Sequence, residues 1–143
     1  MDLRSLEDTR ELARLLLRRA PAGSLVVLTG PLGAGKTTLT RFIAEALGSE
    51  AAVTSPTYTL VHEYPTPQGV LIHIDAYRLP DAGALEQLGL DETLERARLV
   101  VVEWGGALLR SRPDALWLDI ARDGNARAAT LRDATGRPIG WGA

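Results

Sequence analysis

A glycine-rich segment, GPLGAGKTT at residues 30–38, constrains the fold of this chain more than any other feature. It has the P-loop spacing, in which a glycine and four further residues precede glycine, lysine and threonine. The apolar run LVVLT comes before it at 25–29, and a helical pattern of apolar residues follows it at 36–47. Strand, loop and helix in this order predict a phosphate-binding loop in an α/β protein.

The residue types of this loop suit the binding of a nucleotide's phosphates. Glycines let backbone N–H groups turn inward around an anion, and the start of the following helix adds unpaired N–H groups and a positive dipole end. The expected phosphate-binding residues are Gly33, Ala34, Gly35, Lys36, Thr37 and Thr38. Lys36, the only lysine, would contact the β- and γ-phosphates, and the hydroxyl of Thr37 would coordinate Mg²⁺.

Two acidic residues end apolar strands, Asp75 in LIHID and Glu103 in LVVVE. In P-loop folds the C-terminal ends of the strands face the nucleotide, so either carboxylate could reach Mg²⁺ directly or through water. We therefore predict Lys36, Asp75 and Glu103 as catalytic residues, with Thr37 and the two acids at the metal. The alternative for each acid is a solvated strand end.

The single lysine also bears on the identity of the nucleotide. GTPases usually recognise guanine through an Asn-Lys-x-Asp segment, and Lys36 is already assigned to the phosphates. The expected cofactors are therefore ATP and Mg²⁺.

The composition favours a cytoplasmic protein with one domain, residues 1–143. The chain has a formal net charge of −2, no cysteine, and no apolar run long enough to span a bilayer. Its N-terminus carries charged residues instead of an apolar signal segment, so we expect no membrane association. Because no dense basic run is present, a partner would have to hold any nucleic-acid substrate.

The remaining segments predict a mixed β-sheet flanked by helices. Residues 5–19 predict a helix with Ser5 as its cap and Asp8 at the capping-box spacing. TYTLVHEY and VLIHID predict two strands joined around PTPQG, and 99–103 predicts a further buried strand. The expected fold is a P-loop NTPase-like α/β domain.

The last part of the chain predicts short helices and a hairpin. Residues 81–97 contain helical stretches interrupted at Gly89. ALWLDIA and RAATLRDA flank Asp123, Gly124 and Asn125, which favours a tight turn between two strands.

Four segments together resemble the TsaE family of small bacterial ATPases, which serve tRNA threonylcarbamoyladenosine biosynthesis. They are GPLGAGKTT, TSPTYTLVHEY, HIDAYRL and VVEW, in the family's order and spacing over nearly the whole chain. The resemblance implies an ATP hydrolase that joins a heterodimer of TsaB and TsaD and lets it turn over repeatedly. TsaD transfers threonylcarbamoyl to the adenosine beside the anticodon, so contact with tRNA would be indirect.

The resemblance also implies roles for single residues. Thr37 and Glu103 would bind Mg²⁺, with Asp75 near the metal or the attacking water. A switch segment would sense the γ-phosphate, formed by Ser55, Pro56 and Thr57.

Further residues would lie near the base of the nucleotide, namely Trp104 and the first helix around Asp8 and Thr9. Taken by itself, Trp104 could equally be a core residue. His73, on an apolar strand, is more typical of a hydrogen-bonded structural histidine than of a catalyst. Tyr77 and Arg78 could form surface packing or dock the TsaB–TsaD heterodimer.

The chain departs from the family at two places. Pro31 stands where aspartate is common, but it removes only one N–H and leaves the donors from Gly33 onward, so we expect binding to survive. The family often has another acid shortly after the Glu-Trp pair, and GGALLR has none.

Two other functions are compatible with a P-loop. A small-molecule kinase would need a lid and an arginine-rich acceptor pocket, for which 81–97 is short. A nucleotide-dependent binding module would hydrolyse ATP only incidentally. No arginine finger is identifiable in the sequence, so we expect slow intrinsic turnover.

Overall fold

A computed structural model of the chain describes residues 1–31, 35–50, 61–77, 82–87 and 89–141. The strands are β1 Ser24–Thr29, β2 Val61–Thr66, β3 Gly69–Asp75, β4 Ala97–Glu103, β5 Leu116–Asp123 and β6 Ala126–Asp133. The helices are α1 Leu6–Arg19, α2 Lys36–Ala46, α3 Ala82–Glu86, α4 Leu90–Arg96 and α5 Leu108–Ser111.

The strands form one mixed sheet in the order β2-β3-β4-β1-β5-β6. The four inner strands are parallel to one another, whereas β2 and β6 pair antiparallel at the two edges. The inner strands are nearly continuous apolar runs because helices cover both faces of this part of the sheet. The predicted mixed α/β sheet is confirmed.

Successive side chains of a strand point to opposite faces of the sheet, and only one face is covered by the helices α1 and α2. Leu71 on β3 and Val101 on β4 belong to the core cluster that includes these two helices. Because side chains two residues apart share a face, His73, Asp75 and Glu103 lie on the same side of the sheet as α2.

The first helix begins where the sequence predicts. The Ser5 hydroxyl accepts a hydrogen bond from the N–H of Asp8 at 3.2 Å. The Asp8 carboxylate accepts from the N–H of Arg4 at 2.8 Å, one residue before the position that a capping box uses. Ser5 and Asp8 therefore cap the helix from both directions, as in a capping box, except that Asp8 binds the N–H of Arg4 instead of that of Ser5.

The hairpin turns lie close to their predicted positions. The turn between β2 and β3 is at 67–68, because Pro65 and Thr66 continue the strand. Proline is tolerated there since β2 is an edge strand. The β5–β6 turn consists of Gly124 and Asn125, and Gly124 has a positive φ of 61°. The helices α3 and α4 are separated near Gly89 as predicted.

Both ends of the chain cover the outer edge of β6. The N–H of Leu3 donates to the carbonyl of Arg127, and the N–H of Ile139 donates to that of Leu131. These bonds pair backbone groups that an edge strand would otherwise expose. Within the described ranges, no helix is long and apolar enough to cross a membrane.

Candidate functional site

The side chain of Lys36 lies where β1 ends and α2 begins. Its ammonium donates a hydrogen bond to the carbonyl of Gly30 at 2.8 Å and lies 3.7 Å from Oε1 of Glu103. Gly35 caps α2 with φ of 102°, a conformation that favours glycine. The structure thus brings the lysine of the P-loop sequence within reach of the acid that ends β4.

Glu103 is 8 % exposed, and its carboxylate has a partner on each oxygen. His73 Nε2 lies 2.6 Å from Oε2, and Lys36 lies on the Oε1 side. Burial raises the pKa of Glu103, but the hydrogen bond and charge of His73 and the charge of Lys36 outweigh it, so the pKa lies below its usual value. Glu103 is therefore held as an anion.

His73 is fully buried on the same face of the sheet as Glu103. Its Nδ1 has no hydrogen-bond partner among the residues that the structure describes. The interpretation of His73 as a hydrogen-bonded histidine is confirmed, and its partner is a predicted site residue.

Asp75 and Glu103 are neighbours in the register of the parallel strands β3 and β4. Oδ1 of the half-buried Asp75 accepts a hydrogen bond from the N–H of Tyr77 at 3.0 Å. The two acids end adjacent strands on the face that carries α2, whose first turn contains Thr37. Two carboxylates and a hydroxyl are the oxygen donors that Mg²⁺ uses together with phosphates.

A protein-only metal cage is a different kind of site. No group of three or more His, Cys, Asp or Glu side chains able to hold a metal occurs in the described ranges. By their chemistry, Thr37, Asp75 and Glu103 could serve as donors to an ion that would take its other ligands from a nucleotide and from water.

Trp104 and Tyr77 form an exposed aromatic pair beside Lys36. Their side chains are 60 % and 66 % exposed, and their ring centroids lie 5.1 Å apart in an edge-to-face arrangement. The Lys36 ammonium lies 5.4 Å from the centroid of the Trp104 ring. The core alternative for Trp104 is therefore wrong, because its ring is outside the core. Proximity of Trp104 to a base stays a prediction.

A pocket of about 270 Å³ lies between the end of β1 and the segment after β4. Its walls are Leu28, Thr29, Gly30, Lys36, Trp104 and Gly106. A larger cavity of about 460 Å³ lies where β1 and β5 begin, next to Ser24 and Leu116. That cavity lacks the P-loop lysine, whereas Lys36 lines the smaller pocket, so the smaller pocket fits phosphate chemistry better.

Two further predicted residues, Thr9 and Thr38, lie near the starts of the helices α1 and α2. Thr9 lies in the first turns of α1, with its hydroxyl 3.5 Å from the carbonyl of Ser5. Thr38 is half-buried in the first turn of α2. Several predicted positions lie outside the described residues, namely Gly33, Ala34, Ser55, Pro56, Thr57 and Arg78.

One group at this edge of the sheet was missed by the sequence analysis. The hydroxyl of Thr29 donates to Oδ1 of Asp119 at 2.7 Å and accepts from the indole N–H of Trp117 at 2.7 Å. The sequence signal for this group was a hydroxyl residue directly before the first P-loop glycine. Its hydrogen-bond partners could not be identified from the sequence, because they come from a strand far along the chain.

The chain is similar in sequence to a family of known proteins. The family model described as "Threonylcarbamoyl adenosine biosynthesis protein TsaE" matches residues 3–129. A tRNA threonylcarbamoyladenosine biosynthesis protein TsaE of Streptomyces coelicolor is 43 % identical, over 92 % of this chain and 90 % of its own length. The protein of the same name from Bacillus subtilis is 39 % identical, over 83 % of this chain and 75 % of its own.

The fold has a close counterpart among solved structures. The crystal structure of Bacillus subtilis YdiB superposes with a TM-score of 0.70 and 30 % identity, covering 92 % of this chain and 82 % of YdiB. The structural comparison therefore supports the fold described above, and the family rests on the sequence comparisons.

Proposed function

The chain belongs to the TsaE family, and on that premise we propose that it is a Mg²⁺-dependent ATPase of tRNA threonylcarbamoyladenosine formation. In this proposal the chain binds the TsaB–TsaD heterodimer and hydrolyses ATP to let that heterodimer turn over. The tRNA contacts the partners, not this chain.

One observation carries the nucleotide part of the proposal. The ammonium of Lys36 is fixed at the start of α2 by the Gly30 carbonyl and lies 3.7 Å from the buried Glu103 carboxylate. A lysine in this position can contact the β- and γ-phosphates, while the N–H groups at the helix start face the same anion. Arginine would not fit the same role, because its guanidinium is planar and larger.

In this proposal the two acids have different roles at the phosphates. Thr37 and Glu103 would hold Mg²⁺, which when bound would neutralise charge on the β- and γ-phosphates. Asp75, beside Glu103 in the register, would orient the metal or the attacking water. His73 would keep the Glu103 carboxylate in one orientation through its 2.6 Å contact.

The coupling to partners is proposed from the family together with the surface near the site. Tyr77 and Trp104 are exposed next to Lys36, so a partner that contacts this pair would also lie beside the nucleotide. The segment 55–57 would respond to the γ-phosphate and transmit its loss to the partner.

A modification assay tests this function directly. Purified TsaB and TsaD, a threonylcarbamoyl donor, unmodified tRNA, ATP and Mg²⁺ would be incubated with and without this chain. The proposal expects several rounds of modification per TsaD only with the chain present, and loss of this effect in Lys36→Ala. Arg41→Ala, which removes an exposed cation from the same helix, is the matched control. Repeated turnover with Lys36→Ala would contradict the proposal.

A further inference from the structure

The end of β1 is tied to β5 by two side-chain hydrogen bonds on the sheet face opposite α2. Thr29 Oγ1 donates to Asp119 Oδ1 and accepts from Trp117 Nε1, both at 2.7 Å. Thr29 pairs with Asp119 in the parallel register, and Trp117 lies two residues earlier on the same face. The hydroxyl therefore uses both its donor and its acceptor function inside this network, which we call the Thr29 network.

The Thr29 network acts at the point where the P-loop leaves the sheet. Thr29 is followed by Gly30, whose φ of 154° few residues other than glycine adopt. The Gly30 carbonyl accepts the hydrogen bond of the Lys36 ammonium at 2.8 Å. Because its side chain is fixed, the backbone of Thr29 has less freedom to rotate. The direction of the Gly30 carbonyl that follows is therefore restricted as well.

The indole of Trp117 is itself packed against residues of β6 and of the turn that follows it. The guanidinium of Arg132 lies 5.6 Å from the centroid of the Trp117 ring, and it also donates to the carbonyl of Gly136 at 3.1 Å. A Cβ on Gly136 would lie 3.3 Å from Cζ3 of Trp117, so the turn after β6 packs directly on the ring. Arg132 and Gly136 lie beyond residue 129, where the family match ends.

We propose that Thr29, Trp117 and Asp119 are positioning residues that hold Gly30, the first P-loop glycine, so that its carbonyl keeps Lys36 oriented toward a nucleotide's phosphates. This inference rests on the proposed nucleotide site. It adds a set of residues from β5 that supports the loop from the side opposite Lys36 and Glu103. Loss of the network should lower the affinity for ADP, because Gly30 and Lys36 must then be oriented by the ligand itself.

Substitutions that keep shape but remove hydrogen bonds test this role. Thr29→Val removes both bonds, and Trp117→Phe keeps an aromatic ring but removes the N–H donor. Calorimetric titration with ADP should give a Kd about three- to tenfold higher for each variant. Asp119→Asn keeps an oxygen acceptor for Thr29 and should stay within about twofold of the wild type, whereas Asp119→Ala should resemble Thr29→Val.

The control is Thr130→Val, since Thr130 faces Asp119 across the β5–β6 pair but does not precede the loop. It should bind ADP with the wild-type Kd. The network could instead serve only to hold β1 against β5. In that case Thr29→Val and Trp117→Phe will lower the melting temperature but leave the Kd for ADP unchanged. This result would overturn the positioning role. If the wild-type chain binds neither ADP nor ATP, the proposed nucleotide function itself fails.

Discussion

The imidazole Nε2 of His73 lies 2.6 Å from Oε2 of Glu103, and both side chains are buried on the α2 face of the sheet. This contact joins the neighbouring strands β3 and β4. It leaves Oε1 of Glu103 on the side of Lys36, 3.7 Å from the ammonium. The orientation of Glu103 at the proposed phosphate site is therefore set by a histidine that is itself fully buried.

The His73–Glu103 contact should appear as an energetic coupling. Replacing His73 by Leu leaves a buried carboxylate with one partner fewer, and replacing Glu103 by Leu removes both acceptor oxygens. The free energies of unfolding of the two single variants and the double variant should show a coupling on the order of 1–3 kcal/mol. Denaturant titration measures it, and purely additive effects of the two substitutions would show that the contact contributes little.

Lys36 should be irreplaceable even by arginine. Lys36→Ala and Lys36→Arg should both lower the rate of ATP hydrolysis on the order of 100-fold or more, because a compact ammonium fits the loop and a planar guanidinium does not. Steady-state phosphate release is the measurement, with Arg41→Ala as the control of equal charge change. A Lys36→Arg variant that keeps wild-type activity would argue against a point-charge role.

Two substitutions of Trp104 should differ in their effect on stability but should both weaken ligand binding. Its φ of 63° is unfavourable for any residue with a Cβ, and its ring is largely exposed. We expect Trp104→Gly to be about 0.5–1 kcal/mol more stable than Trp104→Ala, since glycine adopts this conformation without a steric penalty. Both variants should bind ADP more weakly than the wild type, because the pocket loses one wall. Equal stability of the two variants would show that the backbone there relaxes freely.

The turn after β6 should contribute stability that depends on pH. Hydrogen bonds from the hydroxyl of Thr135 and from the N–H groups of Thr135 and Arg137 hold the pKa of Asp133 below its usual value of 3.8. A lowered pKa means that this contribution is complete above about pH 4 and is lost as the pH falls through the lowered value.

The variant Asp133→Asn isolates this effect. It should be less stable than the wild type at about pH 7, and the difference should shrink on going to about pH 3 and below. Denaturant unfolding at several pH values measures both proteins. A difference that stays constant with pH would mean that the charge of Asp133 is not involved.

Local patterns were enough to predict much of this fold. The cap of α1, the extent of α2 and the β5–β6 hairpin each follow from residues close together in the sequence. The carboxyl-end position of Asp75 and Glu103 follows from the rule that parallel strands end at the same edge.

Contacts that depend on strand register could not be predicted in this way. His73 meets Glu103 only because β3 and β4 pair as they do, and Thr29 meets Trp117 only because β5 lies next to β1. The short helix α5 was also missed, since its four residues carry no periodic signal. The positive φ of Trp104 and the exposure of its ring are likewise not indicated by anything in the sequence.

The most direct test of the proposed function is steady-state ATP hydrolysis by the purified chain with Mg²⁺, alone and with TsaB and TsaD added. We expect a slow basal rate that rises when both partners are present and that Lys36→Ala abolishes in either condition. A rate that is unaffected by TsaB and TsaD, or that survives in Lys36→Ala, would contradict a partner-coupled ATPase at this site.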